Sequence, residues 1–328
     1  MPNSTNTVNK KDINSYIPDK FALLCSASFE ERSTTIPLSL DKNKILLTKI
    51  FKSLKFNNQN ATNIITDKLN DGEIIELDLS NPITVANILT NTIKELSSMK
   101  DISLLIDITT FTHEVLAMLL KLIHDNKQYF SSIFCLYNGA SDYSNSKNIE
   151  VSQMWLTKGC RDVRNIVGYP GRLRPAEKTC LVIFTGFELE RATRLIELLE
   201  PDKIVIGKGT DATDNNHNKA MEYFHNKFDE WKNNYKYSNC TDINFSCKNV
   251  DETIKIVTNL IANNPNDNFI LVPLNTKLST IAISIVALSN TRIQICYPIP
   301  EMYNTENYSS PGDNITIVDL FRIDIFNK

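Results

Sequence analysis

ISLLIDIT (102–109), followed closely by HEVLAMLLKLIHD (113–125), decides the fold. The first piece is an apolar run of strand length that ends in Asp107 and Thr109. The second is a helix-length segment that is apolar nearly all round. A strand and a helix that both lack a polar face are buried on every side, as happens in a parallel sheet covered by helices on both faces. NFILVPLN (268–275) followed by LSTIAISIVAL (278–288) repeats the arrangement late in the chain.

The same alternation extends outward from both pieces. FALLCSAS (21–28), KILLTKIF (44–51), EIIELDL (73–79) and SIFCLYNG (132–139) read as strands, and EERSTTIPLSL (30–40), QNATNIITDKL (59–69) and PITVANILTNTIKELSS (82–98) as helices. Pro37 limits the first of these helices, and Pro82 suits the first turn of the third. In the second half, TCLVIFTG (179–186), KIVIGKG (203–209), DINFSC (242–247) and RIQICYPIP (292–300) are strands. ELERATRLIELLE (188–200), HNKAMEYFHNKFDEW (217–231) and NVDETIKIVTNLIA (249–262) are the helices between them. The order of elements is the same in both halves. FEER (29–32) recurs as FELER (187–191), and Glu31-Arg32 and Lys44-Ile45 recur as Glu190-Arg191 and Lys203-Ile204 at one constant spacing. IDITT (106–110) aligns with VPLNT (272–276), and Tyr137 with Tyr297.

The expected fold class is therefore α/β, with two tandem Rossmann-like, doubly wound, mostly parallel sheets related by internal duplication. Residues 1–20 are expected to be a polar tail, 21–150 the first half, 151–178 a connector rich in Arg, Gly and Pro, and 179–328 the second half. ITIVDLFRIDIF (315–326) alternates well enough to be a terminal strand.

Composition sets limits on function. Hydrophobic residues make up 42% and charged residues 22%, so a sizeable core is available. The net charge of −3 argues against duplex binding through a global basic field but leaves room for a local basic cleft. The seven cysteines show no Cys-x-x-Cys spacing, and the four histidines form no zinc pattern. No metal and no cofactor is expected. The first 20 residues contain no apolar signal core, and no apolar stretch reaches membrane-spanning length, so the expected setting is cytoplasmic, away from membranes.

In an open α/β sheet, ligands bind beyond the carboxyl ends of the strands, near the switch in strand order. That rule selects Ser28, Glu30, Glu31 and Arg32 in the first half, with Glu188, Glu190 and Arg191 in the second. After the fourth strands it selects Thr109, Thr110, Thr112 and His113, and then Asn275, Thr276, Lys277 and Ser279. Hydroxyls and a lysine beside helix-start amides suit phosphate. Neither G-x-G-x-x-G nor a P-loop is present. The Glu-Arg pairs fit ligand contact and pairing across a pseudo-dyad equally well. The threonines fit ordinary helix caps, and Lys277 fits a solvated turn lysine. Arg161, Arg164, Arg172 and Arg174 suit a basic rim for an anionic ligand, since arginine dominates there in a lysine-rich chain.

LLIDITTFTHEVLAMLL (104–120) resembles the strand–loop–helix of CARF domains, in which an Asp-(Ile/Val)-Thr-His-Gly-(Phe)-Arg-like motif opens the fourth helix. Thr110 and Phe111 stand in place of its His and Gly, and His113 is near its Arg position. LNTKLSTIAI (274–283) resembles a Thr-Gly-Gly-Thr-Lys-type loop shortened to Asn275, Thr276 and Lys277. CARF domains, and SAVED domains that resemble two fused CARF units, sense cyclic oligonucleotides in prokaryotic antiviral immunity. The resemblance implies a nucleotide- or nucleic-acid-sensing module with an anionic nucleotide-type ligand and output through a protein partner. Two alternatives stay open. One is a metal-independent phosphodiesterase resembling ring nucleases, with His113, Lys277 or Glu31 as the proton-transfer or charge-stabilising group. The other is a scaffold subunit of a defence complex.

Overall fold

The computed structural model describes residues 3–56, 59–69, 72–143, 150–187, 189–211, 215–234 and 239–327. By its contacts the chain divides into two units. Unit 1 comprises Met1–Ser141 with Ser309–Lys328, and unit 2 comprises Asp142–Tyr308.

Unit 1 carries β1 (Thr5–Asn9), β2 (Phe21–Ala27), α1 (Thr35–Ser39), β3 (Ile45–Ser53), α2 (Gln59–Leu69), β4 (Gly72–Leu77), α3 (Pro82–Ser98), β5 (Ile102–Asp107), α4 (His113–Asp125) and β6 (Phe130–Tyr143). Unit 2 carries β7 (Thr157–Lys158), β8 (Asp162–Pro170), β9 (Thr179–Thr185), α5 (Glu190–Leu199), β10 (Lys203–Thr210), α6 (Asn215–Asn234), β11 (Cys240–Ser246), α7 (Val250–Ala262), β12 (Asn268–Pro273), α8 (Lys277–Ser289), β13 (Ile293–Ile299) and β14 (Met302–Tyr303). The last strand, β15 (Ser309–Asp319), returns to unit 1.

The sheet of unit 1 has the order β1-β15-β6-β5-β2-β3-β4, and that of unit 2 the order β11-β10-β9-β12-β13-β8. Within them, β4-β3-β2-β5-β6 and β11-β10-β9-β12-β13 are the same arrangement, with parallel pairing throughout. Both are the doubly wound order in which the first and fourth strands are neighbours and the chain reverses direction across the sheet. The duplication read from the sequence thus reappears as two Rossmann-like sheets of one topology. β2, β5, β9 and β12 are buried along almost their whole length. α4 and α8, apolar nearly all round, are buried along most of their length, as such helices must be.

Three boundaries differ from the sequence reading. The polar segment 1–20 is more than a tail: β1 pairs antiparallel with β15, and Ile13 is fully buried. The connector 151–178 contains β7 and β8, and β8 closes the unit 2 sheet antiparallel to β13. The terminal strand does not extend half 2 but sits in the unit 1 sheet between β1 and β6. The unit 1 sheet is therefore completed by a strand from the end of the chain, and the unit 2 sheet by a strand from the connector. The physical reason is that β1, β8 and β15 are edge or near-edge strands. Such strands tolerate polar residues, Gly168 at φ 99° and a terminal Pro170, so no apolar run marks them.

Candidate functional site

In unit 1 the switch point lies between the carboxyl ends of β2 and β5. Thr110 Oγ1 donates to the Ser26 carbonyl at 2.9 Å and ties the two loops together. Asp107, at the end of β5, is fully buried and accepts from Thr109 N at 3.0 Å. Burial pushes its carboxyl up to about 7, against the bonds from Thr109 and the charge of Arg32, which pull it down. Thr109 Oγ1 accepts from Asn138 N at 3.0 Å, which fixes β6 to this loop. Thr112 caps α4 by accepting from Val115 N at 3.2 Å, and His113 and Glu114 follow as the first, buried turn.

Arg32 is buried as well. Its Nη2 lies 2.6 Å from Glu30 Oε2, its Nε donates to Ser309 Oγ at 2.9 Å, and its Nη1 donates to the Asn138 carbonyl at 3.0 Å. Ser28 Oγ accepts from Glu30 N at 3.4 Å in the same turn. Arg32, assigned from sequence to ligand contact, is thus engaged within unit 1. Glu31 is exposed and lines a cavity of about 490 Å³ with Glu30, Thr34, Thr35 and residues of α2.

Unit 2 has its own version of the crevice. Asn275 Nδ2 donates to the Thr185 carbonyl at 2.6 Å, across β9 and β12, as Thr110 does across β2 and β5. Asn275 Oδ1 accepts from Thr276 N at 2.8 Å and from Cys247 Sγ at 3.3 Å, so this side chain is fully used. Thr276 caps α8 through Ser279 N at 3.3 Å, and Ser279 Oγ turns back to the Thr276 carbonyl. Thr276 is thus the counterpart of Thr112, and Lys277 of His113. The loop of unit 2 is shorter, which displaces the alignment of IDITT with VPLNT. Lys277 is half-buried at the first position of α8, a helix with no acidic residue in its first turn.

Thr185 also places a histidine. Its hydroxyl donates to the Gly207 carbonyl at 2.9 Å, so His225 Nε2, 2.8 Å away, is the donor to that hydroxyl. Burial, and then the charge of Lys208, lower the His225 pKa to about 4, so the ring is neutral. Arg191 is buried and donates to the Pro298 carbonyl at 3.4 Å. Glu188 lies outside the described residues. Glu190 is exposed and accepts from Gly159 N at 2.7 Å.

The arginines of the connector do not form one rim. Arg161 N bonds the Ile299 carbonyl and Arg164 pairs in register with Tyr297, both near the carboxyl end of β13. Arg172 N donates to the Thr291 carbonyl and Arg174 N to Asn268 Oδ1, both at the opposite end of the sheet. β8 runs between them, and nine extended residues cover roughly 30 Å. Only Arg161 and Arg164 stand on the side of the switch point.

A second cavity, of about 320 Å³, lies in unit 2 between the loop after β9, the middle of α6 and residues 152–158. It corresponds in position to the cavity of unit 1, between the loop after the first strand and the helix after the second. Its aromatic residues, Trp155, Tyr223 and Phe224, escaped the sequence reading. Trp155 lies in a stretch read as linker, and the other two lie in a segment read only as a helix.

Among the described residues, no group of three or more His, Cys, Asp or Glu is placed to hold a metal ion, and no helix is long and apolar enough to cross a membrane. Fold and crevices define a duplicated, doubly wound α/β protein. No protein-family model matches the chain, and no curated protein matches it. Among solved structures, that of the Cj0485 dehydrogenase aligns with 85% of this chain and 93% of its own at 10% identity, with a TM-score of 0.21, a likeness too remote to carry weight.

Proposed function

We propose that the chain binds an anionic nucleotide at the carboxyl edge of its sheets and passes that occupancy to a protein partner. One observation carries the reading. At the switch point of unit 2, Lys277 opens a helix that is capped by Thr276 and has no acidic residue in its first turn. The amides of a helix start and its positive dipole end favour an anion, and a lysine there adds a full charge. Unit 1 repeats the device with His113 after Thr112, but Glu114 in the first turn competes for the same field, so unit 2 is the stronger phosphate site. The setting in prokaryotic antiphage defence and the protein partner come from the resemblance of 104–120 and 274–283 to CARF loops.

The test is calorimetry of the wild type and Lys277→Ala against mono-, di- and cyclic oligonucleotides. Charge-assisted contacts contribute about 1.5–3 kcal/mol, so the variant is expected to bind roughly 10-fold to 100-fold more weakly. Equal affinity in the two proteins, or no binding by the wild type across the panel, turns the reading to a scaffold.

A further inference from the structure

We infer that the unit 2 cavity beside α6 is a second, separate site, which takes the base and phosphate of a single nucleotide. It shares its ligand class with the reading above but none of its residues.

Half-buried Trp155, Tyr223 and Phe224 line this cavity, with buried Phe187 as a further wall. Flat rings that are only half covered offer π-faces to a planar ligand, and every nucleobase has such a face. Lys158 holds its ammonium 4.5 Å from the Trp155 ring centroid, and Lys227 lies 5.9 Å from that of Tyr223. Both lysines are exposed, so rings and cations meet at one opening. A ligand that combines an aromatic ring with an anion satisfies both. A volume of about 320 Å³ is at the small end of ligand pockets and suits one nucleotide, not an oligomer. The carboxylate that also borders the cavity, Glu190, is committed to Gly159 N. Lys227 is partly neutralised by Glu230 at 2.9 Å, which leaves Lys158 as the principal phosphate contact.

The walls are held in place before any ligand arrives. Phe187 stacks on His217 with centroids 4.9 Å apart. Asn304 Nδ2 donates to the Trp155 carbonyl at 3.0 Å, and β7, which carries Lys158, pairs with β14. Preorganised walls lower the entropy lost on binding. The duplicate supplies the contrast. The corresponding cavity of unit 1 is lined by Glu30, Glu31, Thr34 and Thr35, and among the described residues no aromatic one lines it. The two copies therefore differ at this position, with rings in the lining of unit 2.

The experiment is titration of the full chain with AMP, GMP, CMP and UMP, with adenosine and ribose 5-phosphate as partial ligands. It is read by calorimetry and by tryptophan fluorescence, since Trp155 is one of only two tryptophans. Removing one stacking ring weakens a base by roughly 5-fold to 100-fold, so Tyr223→Leu is expected to weaken all four nucleotides in that range. Lys158→Ala, at an exposed position, is expected to weaken AMP but not adenosine, and ribose 5-phosphate is expected to bind least. Absence of nucleotide binding, or binding unchanged in both variants, overturns the inference. Lys277→Ala separates the two sites. Loss in that variant alone leaves only the helix-start reading standing, and loss in Lys158→Ala and Tyr223→Leu alone leaves only this one.

Discussion

Arg32 donates from Nε to Ser309 Oγ at 2.9 Å, a bond between the loop after the first core strand and a strand that the chain reaches 277 residues later. The same guanidinium holds Glu30 at 2.6 Å and the Asn138 carbonyl at 3.0 Å, all within unit 1. Buried charge of this kind is stable only while each member has its partner, and removing one partner typically costs about 3–5 kcal/mol. Arg32→Ala is therefore expected to destabilise unit 1 by roughly that amount, because Glu30 would be left buried and uncompensated. Urea unfolding followed by hydrogen exchange reads this as loss of protection in 21–141 and 309–327 while 179–299 keeps its own. Uniform loss in both units, or none in either, contradicts the assignment of Arg32 to unit 1 architecture.

Asp107 links stability to pH. Burial raises its carboxyl to about 7 in the folded chain, against an ordinary value of 3.8. A raised carboxyl means that the folded state holds a proton that the unfolded state has released between those two values. Stability from this group is thus full below about pH 4 and declines as the pH rises through about 7. Asp107→Asn keeps the acceptor oxygen facing Thr109 N and removes the titration. Midpoints of urea unfolding measured from pH 5 to pH 8 are expected to fall less in the variant than in the wild type. Identical slopes in both proteins would show that Asp107 is ionised across the range.

How far the sequence could carry this depends on what kind of signal each element leaves. The core strands were legible because FALLCSAS, ISLLIDIT and NFILVPLN are continuous apolar runs, and burial on both faces demands such runs. The partners of the edge strands were not. Alternation in 315–326 reveals a strand but not its neighbour, and β8 was hidden behind Gly168, Pro170 and Gly171, which read as turns. The switch-point loops were legible, and capping by their threonines was one of the readings they offered, while the bonds that tie the loops to neighbouring strands were not. Thr109, Thr110 and Asn275 look like ligand donors in sequence, yet a buried loop must satisfy polar groups first, and here they bond the Asn138 amide and the Ser26 and Thr185 carbonyls. Thr112, Thr276 and Ser279 are spent on helix starts in the same way. The aromatic cavity needed three dimensions, since Trp155 and Tyr223 are far apart in the chain.

The duplicated crevices also predict unequal costs for two reciprocal exchanges. In unit 2, Gly186 follows β9, and a Cβ added there would press into the backbone carbonyl of Leu274. The neighbour is main chain, not the end of a flexible side chain, so the loops after β9 and β12 would have to part. That movement would stretch the bond from Asn275 Nδ2 to the Thr185 carbonyl. Overpacking of this kind costs about 1–3 kcal/mol. In unit 1 the residue at the end of β2 is Ala27, which is buried with its Cβ already in place. Gly186→Ala is expected to destabilise unit 2 by about 1–3 kcal/mol. The reverse change, Ala27→Gly, is expected to cost unit 1 only about 0.5–1 kcal/mol, from the added freedom of the unfolded chain. Denaturant melts of both variants, with hydrogen exchange to assign the loss to 179–299 or to 21–141, measure the pair. A larger cost for Ala27→Gly than for Gly186→Ala would mean that the close approach of the unit 2 loops does not govern its stability.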